Sequence, residues 1–419
     1  MATRSTWPLV HFGEIAEFRN GLNFTKENFG KGIKVIGVSD FQDYIIPRYD
    51  ELVEINPEGV VKNEDFLKEG DILFVRSNGN RNLIGRNLFL KCVRERIAHS
   101  AFTIRARLIS KNADPRFYAY LFRSSLIRET MSAQGSGTNI NNLNQRILSD
   151  MEVPIPPFQT QQKIAAILSA YDDLIENNTR RIKILEEMAQ DIYREWFVHF
   201  RFPGHEGVRM VESELGLVPE GWEILPLKNI AEINSESVKR NQEPKEIGYI
   251  DIASVSTGRI DNINWMKFSD APGRARRIVH HGDIIWSMVR PNRKSYCLII
   301  EPDPNTIVST GFAVIRCKKI PYTFLYHSLT KNDFVSYLTN NATGAAYPAV
   351  KTEDFENAKI VFPSNILLEQ FHKIIEPFYS VIQNLSMKNT NLRRSRDLLL
   401  PKLIRGEIDV SDMDIQIHT

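Results

Sequence analysis

The chain has 419 residues, of which 42% are hydrophobic and 25% are charged. This composition is typical of globular protein and supplies apolar material for two hydrophobic cores, while the formal net charge of +2 neither requires nor excludes a nucleic-acid partner. There is no run of about 18 apolar residues to span a membrane, and residues 1–8 lack the apolar core of a signal peptide. The three cysteines, Cys92, Cys297 and Cys317, are widely spaced. We therefore expect a cytoplasmic protein with no disulfide framework and no zinc site.

Three short segments of the chain occur twice in the same order. Residues 7–17 resemble residues 222–232, Gly-Asp-Ile-Leu at 70–73 resembles Gly-Asp-Ile-Ile at 282–285, and residues 153–156 resemble residues 360–363. Identity between the copies is low, but their order is kept and the offsets change as loop insertions would change them. Self-similarity of this kind predicts two copies of one folded unit. Two similar surfaces suit a partner that is itself long and repetitive.

In chain order, each copy begins with short β-type runs separated by Gly, Asn, Asp and Pro turns. These runs lie at 33–38, 71–75 and 102–105 in the first copy and at 284–288 and 313–317 in the second, followed by helical stretches at 115–131 and 321–339. Proline-rich segments then end the sheets and begin two long helices. We predict an α+β fold with curved, mainly antiparallel sheets, divided into a first domain at 1–155, a central helix at 156–202, a second domain at 203–362, and a C-terminal helix with its tail at 363–419.

Each copy ends in a helix with a heptad seam, in which steps of four and three residues alternate. Nine of the ten positions in the first seam are apolar, which is typical of a coiled coil rather than of an amphipathic surface helix. The first seam contains Ile164, Leu168, Tyr171, Ile175, Asn178, Ile182, Leu185, Ala189, Ile192 and Trp196, and the second contains Phe371, Ile375, Phe378, Ile382, Leu385, Asn389, Leu392, Arg396, Leu399 and Leu403. The first seam would span about 50 Å at about 1.5 Å per residue, so it could act as a ruler.

The polar residues of the two seams predict the direction of pairing. In a parallel pair Asn178 and Asn389 would both lack an amide partner, at a cost of roughly 1–3 kcal/mol each. In an antiparallel pair they meet and fix the register, Ala189 faces Phe378, and Arg396 lies over Tyr171 in a cation–π contact. The alternative is that each helix packs separately against its own domain. Two prolines, Pro377 and Pro401, predict that the second helix kinks or restarts.

The sequence lacks the motifs of an enzyme site. No glycine-rich strand–loop–helix motif for a nucleotide or S-adenosylmethionine is present. Residues 155–158 resemble the Asn/Asp-Pro-Pro-Tyr/Phe motif of amino-methyltransferases, but Ile155 stands at the first position and cannot accept a hydrogen bond from an amine. The pair His280 and His281 has no helical partner or nearby cysteine for a metal. We therefore predict no catalytic residues, no cofactor and no metal.

Polar and basic residues cluster around both copies of the Gly-Asp-Ile segment. Arginine and asparagine form bidentate contacts with guanine and adenine edges in the major groove, while lysines and other arginines hold phosphates. A solvated turn is the alternative for any single residue, but the matched pair of patches favours a nucleic-acid surface. The candidates are Arg76, Ser77, Asn78, Asn80 and Arg81 in the first copy, and Arg274, Arg276, Arg277, Arg290, Asn292, Arg293 and Lys294 in the second. The loops at 135–138 and 343–345 are interpreted as connectors.

Several segments together resemble the specificity subunits of type I restriction–modification systems, and the resemblance covers almost the whole chain. They are Pro-Pro-Phe-Gln-Thr-Gln-Gln-Lys-Ile at 156–164, Leu-Ile-Glu-Asn-Asn at 174–178, Glu-Trp-Phe-Val at 195–198, Ser-Glu-Leu-Gly-Leu-Val-Pro-Glu-Gly-Trp at 213–222, and Leu-Leu-Pro-Lys-Leu-Ile-Arg-Gly-Glu-Ile at 399–408. The resemblance implies two target recognition domains joined by two long antiparallel helices. One departure is the entry to the second helix, residues 364–370, which lacks the Pro-Gln pattern of the first.

The resemblance also implies a function. Each recognition domain would read one half of a split site in double-stranded DNA, and the helices would set the gap between the halves. Modification (methyltransferase) subunits, two in number, would dock on the helices, and motor-nuclease restriction subunits would join for cleavage. No catalysis would reside in this chain. Two other hypotheses remain open, namely a two-headed scaffold for proteins and a single-chain DNA methyltransferase-nuclease.

Overall fold

The structure is a computed structural model and describes residues 7–41, 45–80, 83–124, 127 and 143–416. The chain forms two compact units, one made of residues 1–178 and 388–419 and the other of residues 179–387. Two helices of 40 residues each, α4 (Phe158–Phe197) and α8 (Asn365–Ile404), contribute one part to each unit. Each helix therefore packs in both units and not only against its own domain.

The first unit contains nine strands and three further helices among its described residues. The strands are β1 (Leu9–His11), β2 (Ala16–Asn20), β3 (Phe29–Ile36), β4 (Val53–Ile55), β5 (Ile72–Val75), β6 (Asn87–Phe89), β7 (Ile97–His99), β8 (Thr103–Leu108) and β9 (Glu152–Pro154). The helices are α1 (Phe12–Ile15), α2 (Pro115–Leu121) and α3 (Gln145–Ser149). Strands β2-β8-β5-β6 form an antiparallel sheet, β4-β3-β7 form a second sheet in which β3 and β7 are parallel, and β1 pairs with β9.

The second unit repeats this arrangement. Its strands are β10 (Met210–Ser213), β11 (Gly216–Pro219), β12 (Glu223–Pro226), β13 (Ala231–Ile233), β14 (Glu246–Ile250), β15 (Val255–Ser256), β16 (Arg259–Ile260), β17 (Asn264–Lys267), β18 (Ala275–Ile278), β19 (Ile284–Ser287), β20 (Tyr296–Leu298), β21 (Thr306–Ser309), β22 (Phe312–Cys317) and β23 (Lys359–Phe362). Its helices are α5 (Tyr322–Thr330), α6 (Asn332–Asn341) and α7 (Thr352–Glu356). The predicted helical stretch at 321–339 is thus two helices that meet at Lys331.

The sheets of the second unit match those of the first strand by strand. The order β13-β22-β19-β20 corresponds to β2-β8-β5-β6, the order β17-β14-β21 with parallel β14 and β21 corresponds to β4-β3-β7, and β12 pairs with β23 as β1 pairs with β9. Strand β18 extends the second of these sheets in this unit. The three sequence segments that occur twice fall on these equivalent strands. The predicted α+β fold with two repeated domains and two long helices is confirmed.

The long helices pair antiparallel within each unit. In the first unit the start of α4, including Ile164 and Leu168, shares a core with the end of α8, including Leu403. In the second unit the end of α4, including Ala189, shares a core with Phe371 near the start of α8. The antiparallel direction predicted from the seams is therefore the observed one.

Two details of the seams differ from the prediction. Arg396 is predicted over the Tyr171 ring, but its guanidinium donates hydrogen bonds to the carboxylates of Asp172 and Asp397. Charge-assisted hydrogen bonds of this kind are stronger than neutral ones. Asp172 directly follows Tyr171, so the guanidinium reaches the carboxylate instead of the ring. Helix α8 also runs without interruption through Pro377 and Pro401, so of the predicted kink or restart, the restart does not occur. Ile375 and Tyr379, which flank Pro377 in the sequence, are buried in the core of the second unit, and this burial offsets the backbone hydrogen bond that proline cannot make.

Candidate nucleic-acid interface

The repeated Gly-Asp-Ile segment forms the same buried ion pair in each unit. Gly70 and Gly282 adopt left-handed backbone conformations with φ of 85° and 84°, which glycine adopts without steric cost. The aspartates that follow, Asp71 and Asp283, are fully buried. Each accepts a backbone N–H at the turn, from Lys68 at 2.7 Å and from His280 at 2.8 Å respectively.

Each aspartate also accepts a two-pronged hydrogen bond from an arginine on the neighbouring strand. Asp71 accepts from Nε and Nη2 of Arg107, both at 2.7 Å, and Asp283 accepts from Nε and Nη2 of Arg316, both at 2.9 Å. The hydrogen bond from Asp71 raises the pKa of Arg107, and that from Asp283 raises the pKa of Arg316. These pairs tie β5 to β8 and β19 to β22, and so fix the strands from which the candidate turns emerge. Neither arginine is among the residues predicted from the sequence, because each lies more than 30 positions from its aspartate.

In the first unit the candidate residues form the turn after β5. The backbone N–H groups of Arg76 and Ser77 donate to the Phe102 carbonyl at 2.8 and 3.3 Å. The Asn78 side chain accepts from the Asn80 N–H at 2.7 Å, which is the usual way that asparagine shapes a tight turn. Arg76 and Asn78 are half-buried and Asn80 is exposed. The remaining candidate here, Arg81, lies outside the described residues, as does the loop at 135–138.

In the second unit the turn after β19 holds four candidates. Arg290 and Lys294 are half-buried and bracket a short 3₁₀ turn, while Asn292 and Arg293 are exposed. The Arg290 guanidinium lies 4.3 Å from the centre of the Tyr347 ring, and its Nη2 donates to the Ala346 carbonyl at 3.0 Å. Lys294 donates from Nζ to the Asn332 side chain at 3.2 Å.

Backbone hydrogen bonds show how the two turns correspond. Arg76 donates to Phe102 and its carbonyl accepts from Leu143, both at 2.8 Å. In the second unit Met288 donates to Gly311 at 2.8 Å and accepts from Val350 at 2.9 Å. Arg76 is therefore equivalent to Met288, and Arg290 is equivalent to Asn78. The two turns occupy the same place in the fold but carry different side chains.

The other three candidates do not lie in this turn. Arg274 precedes β18, while Arg276 and Arg277 lie in it, on the sheet that does not contain β19. The Arg276 guanidinium lies 4.9 Å from the centre of the Phe268 ring. Arg277 is half-buried, burial lowers its pKa, and its Nη1 has no hydrogen-bond partner among the described residues. Of the three, Arg274 is the exposed one.

Tyr347 is a candidate contact that the sequence analysis missed. It lies in the loop at 343–349. From the sequence, residues 343–345 of this loop are interpreted as a connector. The ring is 69% exposed, and exposed aromatic rings are platforms for stacking and for holding arginine. The only sequence signal is a lone tyrosine in a short loop rich in glycine and alanine. Its position beside Arg290 depends on tertiary structure.

The described residues contain no group of three His, Cys, Asp or Glu side chains that could hold a metal ion. No helix in the described part of the chain is long and apolar enough to cross a membrane.

Comparisons with known proteins agree with this architecture. Residues 4–187 and 219–393 match the family model described as "Type I restriction modification DNA specificity domain". Among curated proteins, the MjaIX specificity subunit of Methanocaldococcus jannaschii is 29% identical over 309 residues, covering 70% of this chain and 69% of that protein. The MjaVIII specificity subunit of the same organism is 23% identical over 424 residues, covering 97% of this chain and 94% of that protein.

A solved structure, the type I restriction–modification S subunit from M. genitalium, has the same fold. It superposes with a TM-score of 0.57 at 16% sequence identity, covering 95% of this chain and 96% of that one. The family match occupies more than half of the sequence, once in each unit. The chain therefore belongs to the type I restriction–modification DNA specificity family, whose members are the non-catalytic DNA-recognition subunits of restriction–modification complexes.

Proposed function

We propose that each of the two repeated domains reads one half of a split DNA site through the turn that follows β5 or β19. The observation that carries this proposal is that equivalent strands, each fixed by an equivalent buried ion pair, lead into Arg- and Asn-rich turns. Arg and Asn side chains supply the donors that base edges require. The different side chains in the two turns support different sequences for the two half-sites.

Of the remaining candidates, we assign Arg274, Arg293 and Asn292 to the DNA backbone, because they are exposed and their side chains make no hydrogen bond to the residues that the structure describes. Contacts to phosphate position the protein on the duplex without specifying sequence. Arg277 is the weakest candidate, because the residue is half-buried and its Nη1 is shielded from solvent. Binding through such contacts should weaken steeply as salt concentration rises, because phosphate contacts release counterions.

As a type I specificity subunit, the chain has DNA, methyltransferase subunits and restriction subunits as its partners. We further propose that two modification subunits dock on the long helices, that the helices set the gap between half-sites, and that the complex works in the cytoplasm. Large apolar side chains on the helices are exposed, including Ile366 at 74% and Leu398 at 61%, and these are positions that a docked subunit would cover. We also propose that the chain is divided into a first domain at 1–155, a central helix at 156–202, a second domain at 203–362 and a C-terminal helix with its tail at 363–419.

The test is a map of methylated bases in host DNA with and without this gene, in cells that express the neighbouring methyltransferase subunit. We expect loss of one motif made of two short specific parts around a fixed non-specific gap. Loss of a continuous motif would contradict the two-domain reading. An unchanged map, with the assembled complex present, would contradict the proposed function itself.

A further inference from the structure

The turn at Arg290–Lys294 is held in a costly backbone conformation. Arg290 has φ 52° and Lys294 has φ 56°, so both lie in the left-handed region. Residues with a Cβ atom rarely adopt this region, and such outliers persist where surrounding structure over-determines them. Here Pro291 is buried between the two. The backbone of this turn therefore fixes the direction of the Arg290 side chain.

The turn is fastened to the loop at 343–349. Thr343 and Ala349 exchange two backbone hydrogen bonds at 2.9 Å, which closes the loop as a small hairpin. Val289 also pairs with Ala349, and the Arg290 N–H donates to the Pro348 carbonyl at 2.7 Å. This backbone pairing brings the exposed Tyr347 ring under the Arg290 side chain.

The Arg290 guanidinium is held on two sides and open on the others. Its face lies against the Tyr347 ring at 4.3 Å, and one of its N–H groups is bound to the Ala346 carbonyl. A guanidinium carries five N–H donors in a planar fork, and the described residues supply no acceptor for the other four. A planar donor fixed in advance loses less conformational entropy on binding than a free side chain.

We propose that Arg290 reads one guanine in the half-site of the second domain, and that Tyr347 is its positioning residue. Guanine is the base that presents two acceptors, N7 and O6, on its major-groove edge, and the arginine fork matches their spacing. This inference rests on the proposed function and names a specificity-determining pair within it.

The neighbouring cations and the first domain are built differently. Arg293 is exposed and its side chain makes no hydrogen bond to the described residues, so it suits a phosphate, which tolerates a mobile cation. At the position equivalent to Arg290 the first domain has Asn78, whose side-chain oxygen is already used by the Asn80 N–H. The inference therefore predicts an effect in one half-site only.

The experiment uses the chain assembled with its modification subunits and a DNA library in which each half-site is randomised in turn. Methylated molecules are sequenced to give the base preference at every position. For Arg290→Lys, which keeps the charge but loses the fork, we expect the preference for guanine at one position of one half-site to fall roughly 5- to 150-fold. All other positions should keep their preference.

The companion variants separate positioning from charge. Tyr347→Ala should weaken the preference at the same single position, and Tyr347→Phe should restore it, because phenylalanine keeps the ring. Arg293→Ala should weaken binding to all sequences equally and reduce the salt dependence. Lys319→Ala, at an exposed lysine of the same unit, should change neither the base preference at any position nor the overall binding.

The inference is overturned if Arg290→Lys leaves every base preference intact, or if it lowers binding evenly at all positions as a phosphate contact would. Failure of the wild-type complex to methylate any split motif would instead overturn the proposed function. This outcome is measured with the wild-type complex alone and does not depend on any variant. Arg290→Lys keeps the positive charge and most of the aliphatic stem, and unchanged preferences at all other positions show that the variant is folded.

Discussion

Two buried histidines illustrate how single residues set the stability of the two units. In the first unit the His99 ring forms a 2.9 Å hydrogen bond with the Thr103 hydroxyl through Nδ1, and within the described part of the chain its Nε2 has no partner. In the second unit His327 Nε2 lies 3.0 Å from the Tyr379 hydroxyl. Burial lowers the pKa of each to about 3. Both are therefore neutral in the folded protein at pH values where an unfolded histidine is already charged.

We predict that acid destabilises both units from about pH 6.5 downwards. The folded pKa lies below the unfolded one, so the unfolded chain binds more protons and stability is lost as pH falls toward about 3. From pH 6.5 to 5 each histidine should cost up to about 2 kcal/mol. Denaturant unfolding at several pH values measures this. His327→Gln should reduce the slope of unfolding free energy against pH relative to the unchanged protein, and equal slopes for the two proteins would contradict the assignment.

A second prediction at this scale concerns the amide pair of the helix seams. Asn178 donates from Nδ2 to Oδ1 of Asn389 at 2.9 Å, and Asn389 is buried and also contacts the Ile175 carbonyl at 3.4 Å. Asn178→Leu should leave a buried amide oxygen without this donor and cost about 1–3 kcal/mol. The double variant with Asn389→Leu should recover much of the loss. Equilibrium unfolding of the four proteins gives the coupling energy, and strictly additive losses would show that the amides act independently.

At the scale of elements, heptad spacing predicted the partner and direction of the long helices because it is a local property of each sequence. The presence of Pro377 predicted a kink or a restart, and the helix does not restart there. The unfavourable free energy of one proline in a helix is smaller than the favourable free energy of burying the apolar side chains of α8 before and after that proline. Packing therefore decided the continuity of the helix.

We predict that Pro377→Ala increases the free energy of unfolding by about 1–3 kcal/mol. Alanine restores a backbone N–H that can donate to the carbonyl four residues earlier and removes the clash of the proline ring. Pro401→Ala, close to the end of α8, should gain less because the last turn is already free to relax. Thermal unfolding compares them. A loss of stability in Pro377→Ala would mean that packing of the ring outweighs the hydrogen bond.

At the scale of the whole molecule, the two units are built as repeats with separate cores. The first unit buries its own clusters around Phe12 and Phe41, and the second buries its own around Trp286 and Phe312. Strand pairing between β1 and β9 lies wholly within residues 1–155, so this segment carries its own sheet contacts. Units of this kind are suited to exchange between relatives.

We predict that exchanging residues 1–155 for the matching segment of another specificity subunit changes one half of the methylated motif. The second half and the gap should stay the same, because the second unit and both long helices are unchanged. Methylation mapping of cells that carry the hybrid measures this. A hybrid that changes both halves, or the gap alone, would show that the turns do not read the DNA independently.

The sequence by itself determined the repeat, the α+β class and the antiparallel helix pair. Each of these rests on patterns that are periodic or repeated along the chain: alternating apolar residues, a heptad seam, and segments such as Gly-Asp-Ile that recur at nearly constant offset. The seams also predicted that Asn178 and Asn389 face each other, because a polar residue at an apolar seam position has few possible hydrogen-bond partners.

Only the tertiary structure decided which polar residues serve the fold and which are free for a ligand. Arg107 and Arg316 pair with aspartates more than 30 residues away, and Arg277 is half-buried with its Nη1 shielded from solvent, although composition alone groups arginines together as a basic surface. Tyr347 comes beside Arg290 because backbone hydrogen bonds join two distant turns. Contacts between residues far apart in the chain leave no periodic signal, so the candidate site depends on the folded arrangement more than the fold itself does.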